Sequence, residues 1–575
     1  MDRQASGRLQ AALLIAAAVM LLTGLGRVDA WAPDEPRYLH VAEGVRALEN
    51  GPSDLVLLRL NGEPYTQKPP LYFWLAALGG VPTGHVGEVA ARLPSALAGI
   101  GVVALTLLLG SRLFGGRIGL LGALLLLTVY EFAHVGRRIQ LDMLLTLFEL
   151  GALILFWRVD RGLGKRVPQI AALHGLLGLA VLTKGPVGFL IPILAMLGYL
   201  VWEGRARQLL RILPLWALPL SLGPGLLWVF GATALAPPGF AEEAVGSNVI
   251  GRFFAGTSHV RPFWYFLYQF PVDFLPWTIL WPAIWWAGRR VFAADSANRE
   301  PGDGERRAWR FLLAWVGISF AFFSISAGKR GLYLLPAFPA AALLCAAALG
   351  KVLAGRTSIP RVLAVAFAIL ATALALVGTV AILGPTLGRG DPRVAEVLRS
   401  LDVPWLIGFG SAAVAIVATG VTAWVVTSRL RTGAFLRIGA VAVTVWAFEF
   451  AIFQLLYPAL DPGRSPRPIA EAAAAATPAG ERVGLVSDRA MIGGLVHYGG
   501  RGVAELRSAE SIAEFFADGG RTIVVKARKR DRVDAIRPME VVGRARHGRR
   551  EVLILTPTPD TGRTGDAAAR QQDAE

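Results

Sequence analysis

Long apolar runs dominate this chain, many of them close to the roughly 20 residues that cross a bilayer, and short clusters of Lys and Arg separate them. The runs are too numerous to share one soluble core. Only 17% of the 575 residues are charged and 54% are hydrophobic, which leaves too little charge to keep a surface in water. The chain is therefore a polytopic α-helical membrane protein. Its net charge of +17 does not point to nucleic acid, because cytoplasmic loops of membrane proteins collect Lys and Arg whatever the function, and no nucleic-acid motif accompanies it. The single cysteine, Cys345, lies inside an apolar run and excludes both an internal disulfide framework and a cysteine-rich metal site.

The basic clusters set the topology. They fall at Arg3 and Arg8, Arg112 to Arg117, Arg158 to Arg166, Arg205 to Arg211, Arg289 to Arg310, Lys351 to Arg361, and Arg429 to Arg437. If all face the cytoplasm, about thirteen transmembrane helices result, over 9–26, 92–111, 118–135, 139–157, 168–183, 186–203, 212–232, 264–286, 309–326, 332–349, 361–384, 404–427 and 438–457. The apolar segment Leu71 to Val81 is too short to span and reads as an interfacial or re-entrant helix in the first outer loop, 27–91. Val28-Asp29-Ala30 resembles a signal-peptide cleavage site, but the long preceding run suits a retained anchor better.

An odd number of crossings leaves the C-terminal region outside. There the composition changes: 482–488, 522–527 and 551–556 read as strands and 491–498 as a helix. Alternating strands and helices imply a small periplasmic α/β domain over 458–557, after a membrane domain over 1–457. The polar tail 558–575 reads as disordered.

Several basic residues break the positive-inside pattern: Arg37, Lys68, Arg137, Arg138, Lys184, Arg252, Arg261, Lys329 and Arg330 all fall on the outer side. Some sit in tight turns between apolar helices, as in Thr183-Lys-Gly-Pro186 and Gly328-Lys-Arg-Gly-Leu-Tyr333. Charge so near hydrocarbon is costly and usually functional, and the shared sign suggests an anionic ligand such as a lipid phosphate. Snorkelling to outer headgroups is the alternative for each one singly. Asp34-Glu35 after the first helix and Asp142, four residues past Arg138, supply carboxylates. Each suits a general base, an ion-pair partner or a cation ligand. His259 is the best-placed histidine for a metal, while His134 and His174 stand near helix ends.

These residues also lie in an ordered set of motifs: Asp34-Glu-Pro-Arg-Tyr38, Arg59-Leu-Asn-Gly62, Tyr65-Thr-Gln-Lys-Pro-Pro-Leu71, Thr183-Lys-Gly-Pro186, Arg261-Pro-Phe-Trp-Tyr265 and Lys329-Arg-Gly-Leu-Tyr-Leu-Leu-Pro336. The set resembles the aminoarabinose transferases that modify lipid A, within the protein-mannosyltransferase-like superfamily of GT-C fold, and it covers about Trp31 to Pro339. The resemblance implies thirteen helices with a periplasmic C-terminal domain in a bacterial inner membrane, and transfer with inversion from a polyprenyl (undecaprenyl) phosphate-sugar to a glycolipid or glycan.

The resemblance also implies that Asp34 is the catalytic acid and Asp142 a second functional one. Arg37, Lys68, Arg252 and Tyr333 are the residues it assigns to the lipid phosphate, with Lys329 and Arg330 beside them. Glu35, Tyr38, Arg138, Lys184 and Arg261 are further site candidates. Gln67 departs from the family's usual Glu, an acid linked there to a metal site. An amide brings no negative charge, so no cofactor is expected with certainty, and a neutral or acidic sugar becomes more plausible than an amine-bearing one. Other readings are a protein O-glycosyltransferase or a lipid or sugar transporter or flippase. The functional charges gather at one face rather than the midplane, and no internal repeat is visible, which favours the transferase. The expected protein is a monomer.

Overall fold

A computed structural model of the chain describes residues 3–254, 256, 259–293, 303–354, 434–548 and 550–558. Two compact units emerge, one of Met1–Val28 with Val41–Leu460 and one of Asp29–His40 with Asp461–Glu575. The helices up to residue 354 are α1 (Arg3–Leu22), α2 (Glu35–Ala47), α3 (Leu71–Gly80), α4 (Glu88–Phe114), α5 (Gly116–Leu127), α6 (Tyr130–Gly136), α7 (Leu141–Asp160), α8 (Arg166–Lys184), α9 (Val187–Trp202), α10 (Leu209–Ile212), α11 (Leu218–Leu235), α12 (Arg252–Phe254), α13 (Tyr265–Asp273), α14 (Trp281–Ala293), α15 (Asp303–Ile325) and α16 (Phe338–Ala354).

Among the described residues, six helical stretches are long and apolar enough to cross a membrane: Glu88–Phe114, Arg166–Lys184, Leu215–Leu235, Asp303–Ile325, Gly331–Val352 and Ile438–Ala475. The pair α5 and α6, bent by 69°, adds a seventh if counted as one span. The span expected over 118–135 is therefore broken near Thr128. The break is chemically satisfied, since the Thr128 hydroxyl donates back to the Leu124 carbonyl at 2.8 Å and the Trp277 indole donates to the Thr128 carbonyl at 3.0 Å.

The expected span 264–286 is likewise three pieces, α13, a 3-10 turn over Trp277–Leu280 and α14, in a stretch carrying Pro271, Pro276 and Pro282. Helix α7 carries Asp142, Glu149, Arg158 and Asp160, which keeps it outside the apolar count despite its 20 residues. The spans expected over 361–384 and 404–427 lie outside the described residues. Segment 71–81 forms the short helix α3, as expected for a segment too short to span.

Small residues allow close helix approach within the larger unit. A Cβ added at Gly110 of α4 would stand 2.8 Å from the Gly119 Cα of α5, so the two backbones touch there. The end of α1 is clamped from two sides. Arg92 donates to the carbonyls of Leu25 and Val28 at 2.5 and 2.8 Å, and Arg137 donates to those of Met20 and Thr23. Burial, then the neighbouring Arg92, brings the Arg137 guanidinium down to about 10. Strands β1 (Arg59–Leu60) and β2 (Glu63–Pro64) form a hairpin whose turn has Asn61 and Gly62 at φ 58° and 82°; two successive positive φ values are what an Asn-Gly pair accommodates.

The smaller unit is α/β. Strands β3 (Val483–Val486), β4 (Val503–Leu506), β5 (Ile523–Lys526), β6 (Met539–His547) and β7 (Arg550–Pro557) pair in the order β4-β3-β5-β7-β6. The first three are parallel, and β7 runs antiparallel to β5 and β6. Strands β3 and β5 are buried on both faces, between Ile469, Leu485 and Leu495 on one side and Leu506, Phe515 and Val525 on the other. Such strands read as continuous apolar runs, which is why they were visible in the sequence. Strand β6 exposes Glu540, Arg544 and Arg546 at alternate positions and β4 is a four-residue strand half-buried at Ala504 and Glu505; neither is among the strands read from the sequence.

Candidate functional site

Asp142 stands in the first turn of α7, after Gln140 in extended conformation, and Lys184 is the last residue of α8. Each charge suits its helix end: an acid near an N-terminus and a base near a C-terminus both oppose the helix dipole. The two side chains form an ion pair and retain only 4% and 12% of their exposure. The Lys184 ammonium also lies 4.7 Å from the centroid of the Tyr333 ring, itself packed on Phe323 at 5.3 Å. Three motifs far apart in the chain, around 142, 184 and 333, thereby meet.

In the same unit a cavity of about 310 Å³ is lined by four of the expected residues, His259, Arg261, Lys329 and Arg330. Its walls are shaped by two loops stitched together. Val260 bridges Gly328, Arg261 N–H donates to the Ala327 carbonyl at 3.3 Å, and Lys329 N–H donates to the His259 carbonyl at 3.0 Å. The Lys329 side chain extends the stitching, donating to the carbonyls of Arg261, at 3.0 Å, and Ser326. Lys329 is only 3% exposed, and burial lowers its pKa. Arg261 is exposed and lies 6.0 Å from the Tyr265 ring.

The cavity has an acidic side that the sequence reading missed. Glu131 of α6 and Asp273 at the end of α13 both line it, with Gln269 between the loops and Asp273. Glu131 is within electrostatic reach of Asp273, Arg138, Asp142 and Arg330, which ties the cavity to the Asp142 pair. The signal was present: an acid inside an apolar run is a functional candidate by default, and Val129-Tyr-Glu-Phe132 and Phe270-Pro-Val-Asp-Phe274 each hold one. Among the described residues no three His, Cys, Asp or Glu side chains converge on a point where a metal would sit. His259 shares its cavity with the cations Arg261, Lys329 and Arg330 as well as with Glu131 and Asp273.

The smaller unit holds its own carboxylate group. Asp34 is buried and accepts from Arg37 at 2.8 Å, while Glu35 accepts the Trp31 N–H at 3.0 Å. The Arg37 guanidinium lies 5.9 Å from the buried Tyr38 ring. The Trp31 indole donates to Asp461 at 2.6 Å and the Ala30 N–H to the Tyr498 hydroxyl at 2.7 Å, so the Asp34 loop is anchored to the domain that begins at Asp461. In the larger unit Gln67 and Lys68 are half-buried, beside Thr66, whose hydroxyl accepts from Asn248 at 3.1 Å. Arg138 is half-buried too. Arg252 opens α12, but its side chain lies outside the described residues.

Residues 67–228 match the family model described as dolichyl-phosphate-mannose-protein mannosyltransferase. The undecaprenyl phosphate-alpha-4-amino-4-deoxy-L-arabinose arabinosyl transferase 2 of Pseudomonas fluorescens is 30% identical over 341 residues, covering 59% of this chain and 55% of that protein. The corresponding transferase of Pseudomonas aeruginosa is 30% identical over 352 residues, covering 59% of each. The chain thus spans little more than half the length of the curated relatives it matches.

Among solved structures, ArnT from Cupriavidus metallidurans, bound to undecaprenyl phosphate, superposes with a TM-score of 0.75 at 21% identity, over 96% of this chain and 98% of that one. The Archaeoglobus fulgidus oligosaccharyltransferase follows with a TM-score of 0.51 at 14% identity, over 92% of this chain and 70% of that one. The resemblance read from the motifs is borne out: the chain is similar to the aminoarabinose transferases over a little more than half its length, and it has the GT-C fold.

Proposed function

We propose that the chain is an inverting glycosyltransferase that moves a sugar from a polyprenyl phosphate carrier to a cell-envelope acceptor such as lipid A. The relatives are named for transfer from an undecaprenyl phosphate-linked sugar, and the structural neighbour binds undecaprenyl phosphate. The observation that carries the reading is the meeting of Arg261, Lys329 and Arg330 around one cavity, electrostatically linked to the Asp142–Lys184 pair. Cations gathered in a low-dielectric site stabilise the charge that grows on a departing phosphate.

In the reaction an acceptor hydroxyl attacks the anomeric carbon from the face opposite the phosphate, so its configuration inverts. The carbon–oxygen bond to phosphate breaks with its electron pair on the lipid phosphate, and a carboxylate takes the acceptor proton. The resemblance assigns that last role to Asp34, with Arg37 holding its carboxylate. Asp142 holds Lys184, whose ammonium on the Tyr333 ring serves the phosphate side. Lys68, Arg252 and Tyr333 complete the phosphate set by resemblance. The same reading takes the chain to cross the inner membrane thirteen times, with a membrane domain over 1–457 and a periplasmic α/β domain over 458–557, and puts this chemistry at the outer face.

Purified protein in detergent, given a polyprenyl phosphate-sugar and lipid A, should yield glycosylated lipid A by mass spectrometry. Movement of the donor across sealed vesicles with no acceptor modified would instead make the chain a transporter.

A further inference from the structure

Asp273 is poised differently from the other charged residues of the cavity. Its Oδ1 accepts from the Gln269 side-chain amide at 2.5 Å, while Oδ2 is buried and has no hydrogen-bond partner among the described residues. Room for this carboxylate exists because residue 331 is glycine: a Cβ there would collide with Oδ2 and stand 3.1 Å from the Asp273 Cγ. A buried acceptor left unmatched costs about 1–3 kcal/mol, and a residue that lines a cavity while carrying that cost is one a ligand can satisfy. Tyr265, whose hydroxyl contacts the Gly331 backbone, and Gln269 hold the carboxylate's surroundings in place.

The lining says what kind of ligand fits. Arg261, Lys329 and Arg330 share the cavity with the carboxyl groups of Glu131 and Asp273, so a phosphate there has cations to meet while the sugar it carries meets acceptors. A sugar hydroxyl can donate to the unmatched Asp273 Oδ2. A sugar carboxylate has no proton to donate and sets a second anion beside that oxygen.

We propose that Asp273, oriented by Gln269 over Gly331 and backed by Glu131, is a specificity-determining residue that accepts hydrogen bonds from the sugar and excludes carboxylated sugars. The proposal rests on the glycosyltransferase reading and refines it. The absence of an acid at residue 67 left uncharged and acidic sugars open alike; the acidic wall of the cavity removes the acidic ones.

The test uses purified full-length protein and two short-chain prenyl phosphate probes that differ only in the sugar, glucose against glucuronic acid. Affinity is read from intrinsic tryptophan fluorescence without any acceptor. Wild type should prefer the glucosyl probe by about tenfold or more, as expected for one uncompensated like charge. Asp273→Asn and Glu131→Gln should each narrow that ratio by strengthening glucuronyl binding, and Gly331→Ala should weaken glucosyl binding by displacing the carboxylate. If Asp273→Asn does not fold, the other two variants report on the same wall. Equal affinities in wild type, binding of neither probe, or a ratio unmoved in the folded variants would overturn the proposal. Because no transfer is measured, a wild type that discriminates between probes yet never glycosylates lipid A would sink the transferase reading alone.

Discussion

Lys184 closes α8 with its ammonium shared between the Asp142 carboxylate and the face of Tyr333, 4.7 Å away. Two helix ends and the turn carrying Tyr333 are held by this one side chain, and both charges are nearly buried. Such a pair is costly to break from one side, because the remaining charge is left without compensation.

Replacing Asp142 by Asn or Lys184 by Met should therefore lower stability by roughly 3–5 kcal/mol, the range for a broken buried pair, and cut transfer with it. The double variant should lose less than the two singles together. Lys184→Arg should retain part of the activity, since the charge stays while the geometry changes. Thermal unfolding in detergent beside a transfer assay reads all four proteins, and strict additivity would separate the two residues.

Asp34→Asn should abolish transfer, falling by at least about a hundredfold, because an amide cannot accept the acceptor's proton. The unfolding temperature should move little, since the amide can still accept a hydrogen bond from Arg37. Transfer within a few fold of wild type would remove Asp34 from the mechanism.

How much of this was legible in the sequence depended on the range of the interactions. Helix-scale apolar runs and the twice-buried strands β3 and β5 are written in local composition, and among the described residues they lie where expected or close to it; the Asn61-Gly62 hairpin, equally local, was not read from its sequence. The break at Thr128 was not, because the Trp277 indole that satisfies the exposed carbonyl lies 149 positions away. Asp142, Lys184, Arg261 and Arg330 stood out as charges in outer turns. Glu131 and Asp273 do not stand out in this way, because each lies within an apolar run and not in a basic turn. Lys329 bonds backbone carbonyls and still lines the cavity, whereas Arg137, alike in sequence, is not among the lining residues and is occupied with the carbonyls of Met20 and Thr23.

That occupation distinguishes Arg137 from the ligand-facing cations. Arg137→Met would remove the side-chain donor to the Met20 carbonyl and one of the two, beside Gln454, to the Thr23 carbonyl at the end of α1, at about 1–3 kcal/mol for a buried acceptor left unmatched. The expected result is a lower unfolding temperature with the donor KM of the surviving folded protein unchanged. A raised KM at unchanged stability would move Arg137 into the phosphate site.

Topology is open to direct measurement. Single cysteines placed at Lys68, Lys184 and Val483, in a background with Cys345 replaced, should react with a membrane-impermeant maleimide in intact spheroplasts. Cysteines at Arg161 and Arg289 should react only after permeabilisation, because the positive-inside rule puts those clusters in the cytoplasm. A cytoplasmic Lys184 would dismantle the outer phosphate site, since its partner Asp142 would go with it.

The last prediction concerns pH and the smaller unit. His547, at the end of β6, has its pKa lowered first by burial; Lys526 and Arg550 push the same way, while Asp488 and the Arg464 backbone oppose. The folded protein therefore binds this proton less readily than the unfolded chain, whose histidine titrates near the ordinary value of about 6.5. Stability from the neutral ring is complete above that value and is lost as pH falls through it, because protonation then favours the unfolded chain. Hydrogen exchange in β6 and β7 of the full-length protein should be faster at pH 5.5 than at pH 7.5, after correction for intrinsic rates. His547→Gln should shrink that difference, since an amide does not titrate. An identical pH response in the variant would remove His547 as its source.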